Sequence, residues 1–276
     1  MGITAAQVNE LRKKTGAGMM DCKKALNESN GDMNAAIDYL RKKGQKISAK
    51  RADREATEGA IIAKVNNSGN FGVVLRLNCE TDFVAKNEEF VAFAHQLAQL
   101  ALDNDCKTIE EINLLSIGDK NVSETIVEMV GTIGEKIEIG EYYSLTGEGI
   151  VDYIHAGNKI GVLVVMNQKL NEIKTIAGKD VAMQIAAMNP VSVDESSVPE
   201  DVKKRELEIG KEQARQEGKP EAMIEKIALG KLNKFYKEQT LLKQVFVKDS
   251  SKTIDKFLKE IDGELTVLAF KRVSLN

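Results

Sequence analysis

Two histidines, three cysteines and 42 acidic side chains are the groups here that could carry acid–base, nucleophilic or metal chemistry. None stands in a spacing that such chemistry requires. His95 and His155 are too few for a Cys/His zinc cluster. Cys22, Cys79 and Cys106 form no CxxC pair, and an odd count in a chain this long suits a reduced interior. The phosphate loop GxxxxGK[ST] is absent: Lys179 follows Gly178, but Ile173 stands where the first glycine belongs. GEGIVD from Gly147 and GAGMMD from Gly16 end in Asp152 and Asp21, where a dinucleotide fingerprint needs glycine. GxSxG and HExxH are also missing. His155 falls on an Asn/Gly turn with no orienting acid beside it in sequence, which suits a surface role better than general-base work. No catalytic residue, metal or cofactor is therefore expected.

What remains is a set of apolar side chains in polar settings. Met19-Met20 follows TGAG (residues 15–18) on an expected loop, and adjacent methionines cannot both face a three-helix core. Flexible thioethers suit an adaptable docking surface, although one of them filling a core gap is the competing reading. Thr81-Asp82-Phe83-Val84 lies between an apolar run ending at Leu77 and a helical run expected from about Lys86. Phe83 on that corner is either a staple folded back onto the helix or an aromatic offered to another molecule. Asp82 reads as a helix cap or as a partner contact.

Composition narrows the partner classes. With 39 Lys+Arg against 42 Asp+Glu the net charge is -3, which gives no general pull towards nucleic acid or an anionic membrane. Arg41-Lys42-Lys43 reads as a solvated helix end. Hydrophobic content of 42% and charged content of 29% fit a globular protein, and no apolar run approaches the roughly 20 residues that span a bilayer. The first residues have neither a charged and apolar leader nor a myristoylation pattern, because residue 6 is Ala. A cytoplasmic location is expected.

The elements that must hold these side chains form an α+β pattern. Three short helices are expected over 3–44. The first has a capping box (Thr4, Gln7) and a staple (Ile3, Val8); Asp21 is the expected cap of the second, Asp32 of the third, and Gly44 its stop. Such a domain has a marginal core and is expected to lean on partners or to stay loosely tethered by a charged helical linker over 45–57. An internal repeat follows. EGAIIAKVNNSGNFGVVLRLN (58–78) and EGIVDYIHAGNKIGVLVVMN (148–167) share an acid–glycine start, a strand, a Gly/Asn turn, and a second strand opening on Gly-Val. Gly59 and Gly72 are thirteen residues apart, and Gly149 and Gly161 twelve. Each is a predicted β-hairpin followed by a helix. A helix over 123–132 and a strand over 136–145 lie between them. From Pro199 to Phe235 two charged helices with a thin stripe (Val202, Leu207, Ile209; Met223, Ile224, Ile227, Leu232) reverse at 217–221 and predict a protruding hairpin, with ordinary surface helices the competing reading. The last fourteen residues alternate as a final strand.

ITAAQVNELRKKTGAGMMDCKKAL, NCETDFVAKNEEF and IHAGNKIGVLV, in this order and followed by the helical arm, resemble the bacterial elongation factor Ts family. The resemblance runs from about Ile3 to the C-terminus. It implies guanine-nucleotide exchange on the GTPase elongation factor Tu, a role in translation elongation, no nucleotide site on this chain, and no direct contact with nucleic acid or membrane. It also implies a ubiquitin-associated-like N-terminal module with its linker (1–56), core subdomains over 57–146 and 147–199, a coiled-coil arm (200–235) and a C-terminal module returning to the core (236–276). By the same resemblance Phe83 is a wedge near the partner's magnesium site, with Asp82 its polar neighbour and Thr81 and Val84 flanking. Arg12, Met19 and Met20 are implied contacts of the N-terminal module, and Ile133, Gly134 and His155 of the core. A non-catalytic ubiquitin-associated-like adaptor is the alternative function.

Overall fold

A computed structural model describes residues 2–155 and 157–275. These form a mixed α/β fold with eleven α-helices and small sheets, antiparallel wherever their strand pairing is resolved, and divide into two compact units. The first unit comprises 1–62, 75–143 and 274–276, and the second 63–74 and 144–273.

The first unit opens with α1 (Ala5–Thr15), α2 (Met19–Glu28) and α3 (Met33–Arg51). The Thr4–Gln7 capping box forms, and Gly16 ends α1 at φ 66°, a left-handed conformation that costs glycine little. Val8, Leu11, Cys22, Ala25, Leu26 and Ala36 make the small core, with Ile3, Met33 and Ile37 packed against it. Three expectations are corrected here. The cap position of α2 is Gly18, and Asp21 sits inside the first turn. Met19 and Met20 open that helix rather than occupying a loop. Helix α3 does not stop at Gly44 but continues through the expected linker to Arg51.

The reason lies further along. Strands β1 (Glu58–Val65) and β2 (Phe71–Cys79) form the first hairpin. Then come α4 (Asp82–Ala85), α5 (Glu88–Asp103), α6 (Ile109–Leu114), the two-residue strands β3 (Ser116–Ile117) and β4 (Lys120–Asn121), α7 (Val122–Ile133) and β5 (Glu138–Thr146). Helix α7 crosses α3 at Gly44 and Gly131, so closely that a Cβ on Gly131 would lie 2.7 Å from the Gly44 Cα. A glycine that would end an isolated helix here gives another helix backbone room to approach, and packing outweighs the propensity loss of about 1 kcal/mol. The N-terminal helices thus rest on α7. Lys43–Asp21 (2.5 Å), Arg41–Glu128 (3.4 Å) and Lys120–Glu128 (2.6 Å) line a cavity of about 270 Å³ beside the crossing. The larger sheet of this part runs in the order β1-β2-β5. Helix α5 buries Phe90, Phe93, Ala94, Leu97, Ala98 and Ala101.

In the second unit β6 (Gly149–Ile154) pairs antiparallel with β7 (Ile160–Met166), from Gly149↔Met166 to Ile154↔Gly161. Helix α8 (Glu172–Met188) packs on this hairpin through Val181, Ala182 and Ile185. The chain continues through α9 (Glu200–Gln216), α10 (Glu221–Gln239), a 3-10 turn at Leu241–Lys243, β8 (Val245–Phe246), β9 (Asp249–Thr253), α11 (Ile254–Ile261) and β10 (Val267–Ser274). The sheet order is β10-β7-β6. Leu241, Phe246, Ile254, Leu258 and Val267 join the core of α8. Helices α9 and α10 pair as expected, and their seam mixes small residues with the expected stripe, of which Ile224 is buried and Val202, Leu207, Ile227 and Leu232 are half-buried. Gly210, Ala214, Ile224 and Ala228 are buried, whereas Ile209 and Met223 of the expected stripe are exposed. A Cβ on Gly210 would sit 3.2 Å from the Ala228 Cα, so the two backbones approach closely there.

Candidate partner-binding site

The corner after the first hairpin is built from two capping events in seven residues. Strand β2 ends at Cys79. Thr81, not Asp82, caps α4, its hydroxyl accepting from the Val84 N–H at 3.5 Å. Asp82 occupies the first helical position and pairs with Lys86 four residues on (2.7 Å), an exposed pair worth little to stability. Asn87 then caps α5 through the Glu89 and Phe90 N–H groups, so that helix starts two residues later than expected. A one-turn helix has no face large enough to bury all its side chains. Val84 is half-buried, while Phe83 is 83% exposed. It does not fold back onto α5 as a staple. The chain forgoes the roughly 1.5–3 kcal/mol that burying such a ring would contribute.

The corner is nonetheless held firmly. Helix α7 ends at Gly134 (φ 82°), whose N–H donates to the Val130 carbonyl at 2.8 Å. This left-handed turn is a glycine conformation. The next residue, Glu135, accepts from the Glu80 N–H (3.1 Å), the Thr81 N–H (3.0 Å) and the Thr81 hydroxyl (2.7 Å). Glu80 returns the contact, accepting from the Lys136 N–H at 2.6 Å. Its carboxylate also accepts from Arg51, the last residue of α3, through both oxygens at 2.7 and 2.8 Å, with Arg54 at 3.8 Å. Burial pushes the Glu80 pKa up, but the Lys136 N–H and the two guanidinium groups outweigh it and hold the carboxyl below its ordinary value. Beside it the buried Cys79 thiol donates to the Thr81 carbonyl at 3.2 Å. Burial first, then Glu135 and Glu58, pushes that thiol up to about 12, so it remains protonated.

Several of the candidate residues therefore meet around the end of α7. Thr81–Val84 and Ile133–Gly134 are joined through Glu135 and Glu80, and Ile133 is 36% exposed. The loop between α1 and α2 reaches the same helix: a Cβ on Gly16 would lie 3.8 Å from the Thr132 methyl. Beyond that loop Met19 and Met20 are 54% and 74% exposed, and Arg12 is exposed in the last turn of α1, where a cation complements the helix dipole. His155 belongs to the second unit. It is exposed at the end of β6, where its N–H donates to the Ile160 carbonyl (2.9 Å) and its Nδ1 lies 3.1 Å from the Tyr153 hydroxyl.

The sequence reading missed Glu80, Glu135 and Arg51. Each acid directly adjoins a candidate segment, which is the one local signal available. Their pairing spans 55 residues and leaves no periodic trace.

The family model for elongation factor TS matches residues 80–276. A protein named Elongation factor Ts from Amoebophilus asiaticus is 52% identical over 273 residues, covering 99% of each chain. The chain belongs to the elongation factor Ts family. Relatives of the same name from Cytophaga hutchinsonii (52% over 275 residues, 99% of each chain) and Christiangramia forsetii (50% over 273 residues, 99% of this chain and 98% of the relative) agree. As a member of the elongation factor Ts family it is a translation elongation factor of protein biosynthesis. Among the described residues no helix is long and apolar enough to cross a membrane.

Proposed function

We propose that this chain is a guanine-nucleotide exchange factor that binds the GDP form of elongation factor Tu and speeds GDP release, acting in the cytoplasm by non-covalent binding alone. The observation that carries the reading is Phe83: a large aromatic ring, 83% exposed, on a corner whose backbone is fixed by Glu135. An exposed aromatic on a held backbone loses less conformational freedom on docking than one on a free loop, and one such anchor can contribute about 2 kcal/mol or more to an interface.

In this reading Phe83 enters the partner's nucleotide domain beside its magnesium site. Asp82 is its polar neighbour, with Thr81 and Val84 setting the approach. Ile133, Gly134 and His155 are further core contacts, and Arg12, Met19 and Met20 dock the N-terminal module. GDP on a GTPase is held by a phosphate loop and by Mg²⁺ bridging the phosphates. A factor with higher affinity for the opened form of that site shifts the partner towards it, and by linkage nucleotide weakens the factor's binding by the same ratio. Nucleotide and Mg²⁺ are ligands of the partner, and this chain needs no cofactor. We assign 1–56 to a ubiquitin-associated-like module with its linker, 57–146 and 147–199 to the two core subdomains, 200–235 to a protruding coiled-coil arm, and 236–276 to a C-terminal module returning to the core.

Stopped-flow release of a fluorescent GDP from elongation factor Tu tests the proposal. The expected result is a release rate that rises with the concentration of this chain and saturates. Binding to the GTPase with no acceleration of release would instead support a non-catalytic adaptor.

A further inference from the structure

We infer that Glu135 and Glu80 are positioning residues for Phe83: a reciprocal carboxylate latch that sets the angle at which the aromatic is presented. The inference rests on the exchange reading above and adds to it residues that need not touch the partner.

Three donors converge on the Glu135 carboxylate, and all of them belong to Glu80 and Thr81, the two residues immediately before α4. The Thr81 hydroxyl has two tasks. By donating to Glu135 it directs its proton away from the helix and leaves a lone pair to accept from the Val84 N–H. Glu135 therefore fixes both the backbone entering α4 and the cap that starts it. A four-residue helix makes too few internal hydrogen bonds to hold its own direction. The direction of Phe83, second residue of that helix, is thus set from outside it.

The opposite half of the latch serves the same end. Glu80 accepts from the Lys136 N–H, which follows Glu135 in the chain, and is gripped by Arg51 through both of its oxygens. Charge-assisted bonds of this kind are shorter and stronger than neutral ones, and here one guanidinium nitrogen of Arg51 serves both oxygens. The two carboxylates lock 80–81 against 135–136 from both sides, and Arg51 ties the pair to the end of α3.

The experiment uses the full chain in four forms: wild type, Glu135→Gln, Phe83→Ala and the double variant. Each is assayed for GDP release from elongation factor Tu at saturating factor. Hydrogen exchange of the Thr81 amide, followed by NMR, reports the latch itself. Glutamine keeps the shape of Glu135 but removes its charge and one of its two acceptor oxygens, so the bonds to the Glu80 and Thr81 N–H groups weaken and the Thr81 amide should lose protection. Release should slow by about tenfold or more, with the thermal midpoint nearly unchanged. In the Phe83→Ala background the same change should alter release by less than about twofold, because the latch acts through the ring. A normal release rate in Glu135→Gln despite lost Thr81 protection would overturn the latch while leaving the wedge reading intact. So would an equal, additive slowing in both backgrounds. A normal rate in Phe83→Ala would instead overturn the wedge reading and the latch with it. If Glu135→Gln folds poorly, Glu80→Gln breaks the other half and must give the same pattern of release rates.

Discussion

Both β-hairpins hand the chain to a long helix through a short corner, residues 80–87 after β2 and 167–171 after β7, and the two corners are built from different chemistry. The second is held by a neutral side-chain amide. Asn167 donates through its N–H to the Thr266 carbonyl (3.1 Å) and through Nδ2 to the Glu264 carbonyl (2.8 Å), and its Oδ1 accepts from the Thr266 N–H (2.9 Å). Asn171 then caps α8 directly. The first corner is held by two carboxylates and a guanidinium, inserts an extra one-turn helix, and turns Phe83 outwards. In other respects the hairpins are built alike. Each begins at a glycine lying so close to the departing chain that a Cβ would come within 2.1 Å of the Leu77 carbonyl oxygen (Gly59) or 2.4 Å of the Gln168 oxygen (Gly149). One plan thus serves two ends. Where a corner only joins strand to helix, the amide of Asn167 makes the backbone contacts, with Lys174 on the Gln168 Oε1 (2.9 Å) beside it. Where it displays an apolar ring to water, stronger charge-assisted bonds take over what packing would otherwise do.

The largest expected effect separates Phe83 of the first corner from Phe90 in the helix that follows it. Phe90 is fully buried, and Phe90→Ala should lower unfolding stability by about 3–5 kcal/mol in urea denaturation. Phe83→Ala should lower it by less than about 1 kcal/mol, because little apolar area is lost. Equal penalties would break the comparison and return Phe83 to a structural role.

The matched glycines come next. Gly59→Ala and Gly149→Ala each press a methyl against a backbone oxygen that cannot rotate away. Each should cost about 1–3 kcal/mol. If one variant is silent while the other is not, the two hairpins do not share the plan described above.

A smaller effect distinguishes the corners by pH. Glu80 titrates below its ordinary value in the folded chain, so its contribution to stability is complete above the unfolded carboxyl pKa of about 4.3 and disappears as pH falls through the lower folded value. The penalty of Glu80→Gln should therefore be largest near neutrality and shrink on acidification below about pH 4.3. The bonds lost in Asn167→Ala involve no carboxylate, and that penalty should stay flat over the same range. Urea midpoints from pH 7 downwards check both.

Much of this was legible in the sequence, because the signals were local. The hairpin turns at Asn66–Asn70 and Gly157–Asn158 and the Thr4–Gln7 box depend on residues within a few positions of each other. Phe83 could be suspected of exposure from its polar neighbours alone. The errors arose where distant chain decides. Gly44 carries a local stop signal, but the approach of Gly131 converts it into a helix crossing. The arm's seam was sought among large residues alone, whereas Gly210 and Ala228 also meet directly. Helix α6 and the short strands β3, β4, β8 and β9 were not anticipated, being too brief to carry a period, whereas in α11 Ile254, Phe257, Leu258 and Ile261 do recur at helical spacing and were passed over. The latch escaped notice because Glu80 and Glu135, read singly, are ordinary surface acids.

The most direct test of the central claim is the rate of GDP release from elongation factor Tu at saturating Phe83→Ala, with the thermal midpoint of the variant measured on the same preparation. The account predicts a midpoint close to wild type and release slowed by at least about tenfold, each factor of ten being about 1.4 kcal/mol of lost preference for the opened partner. A variant that unfolds readily, while its folded fraction releases GDP at the wild-type rate, would contradict it.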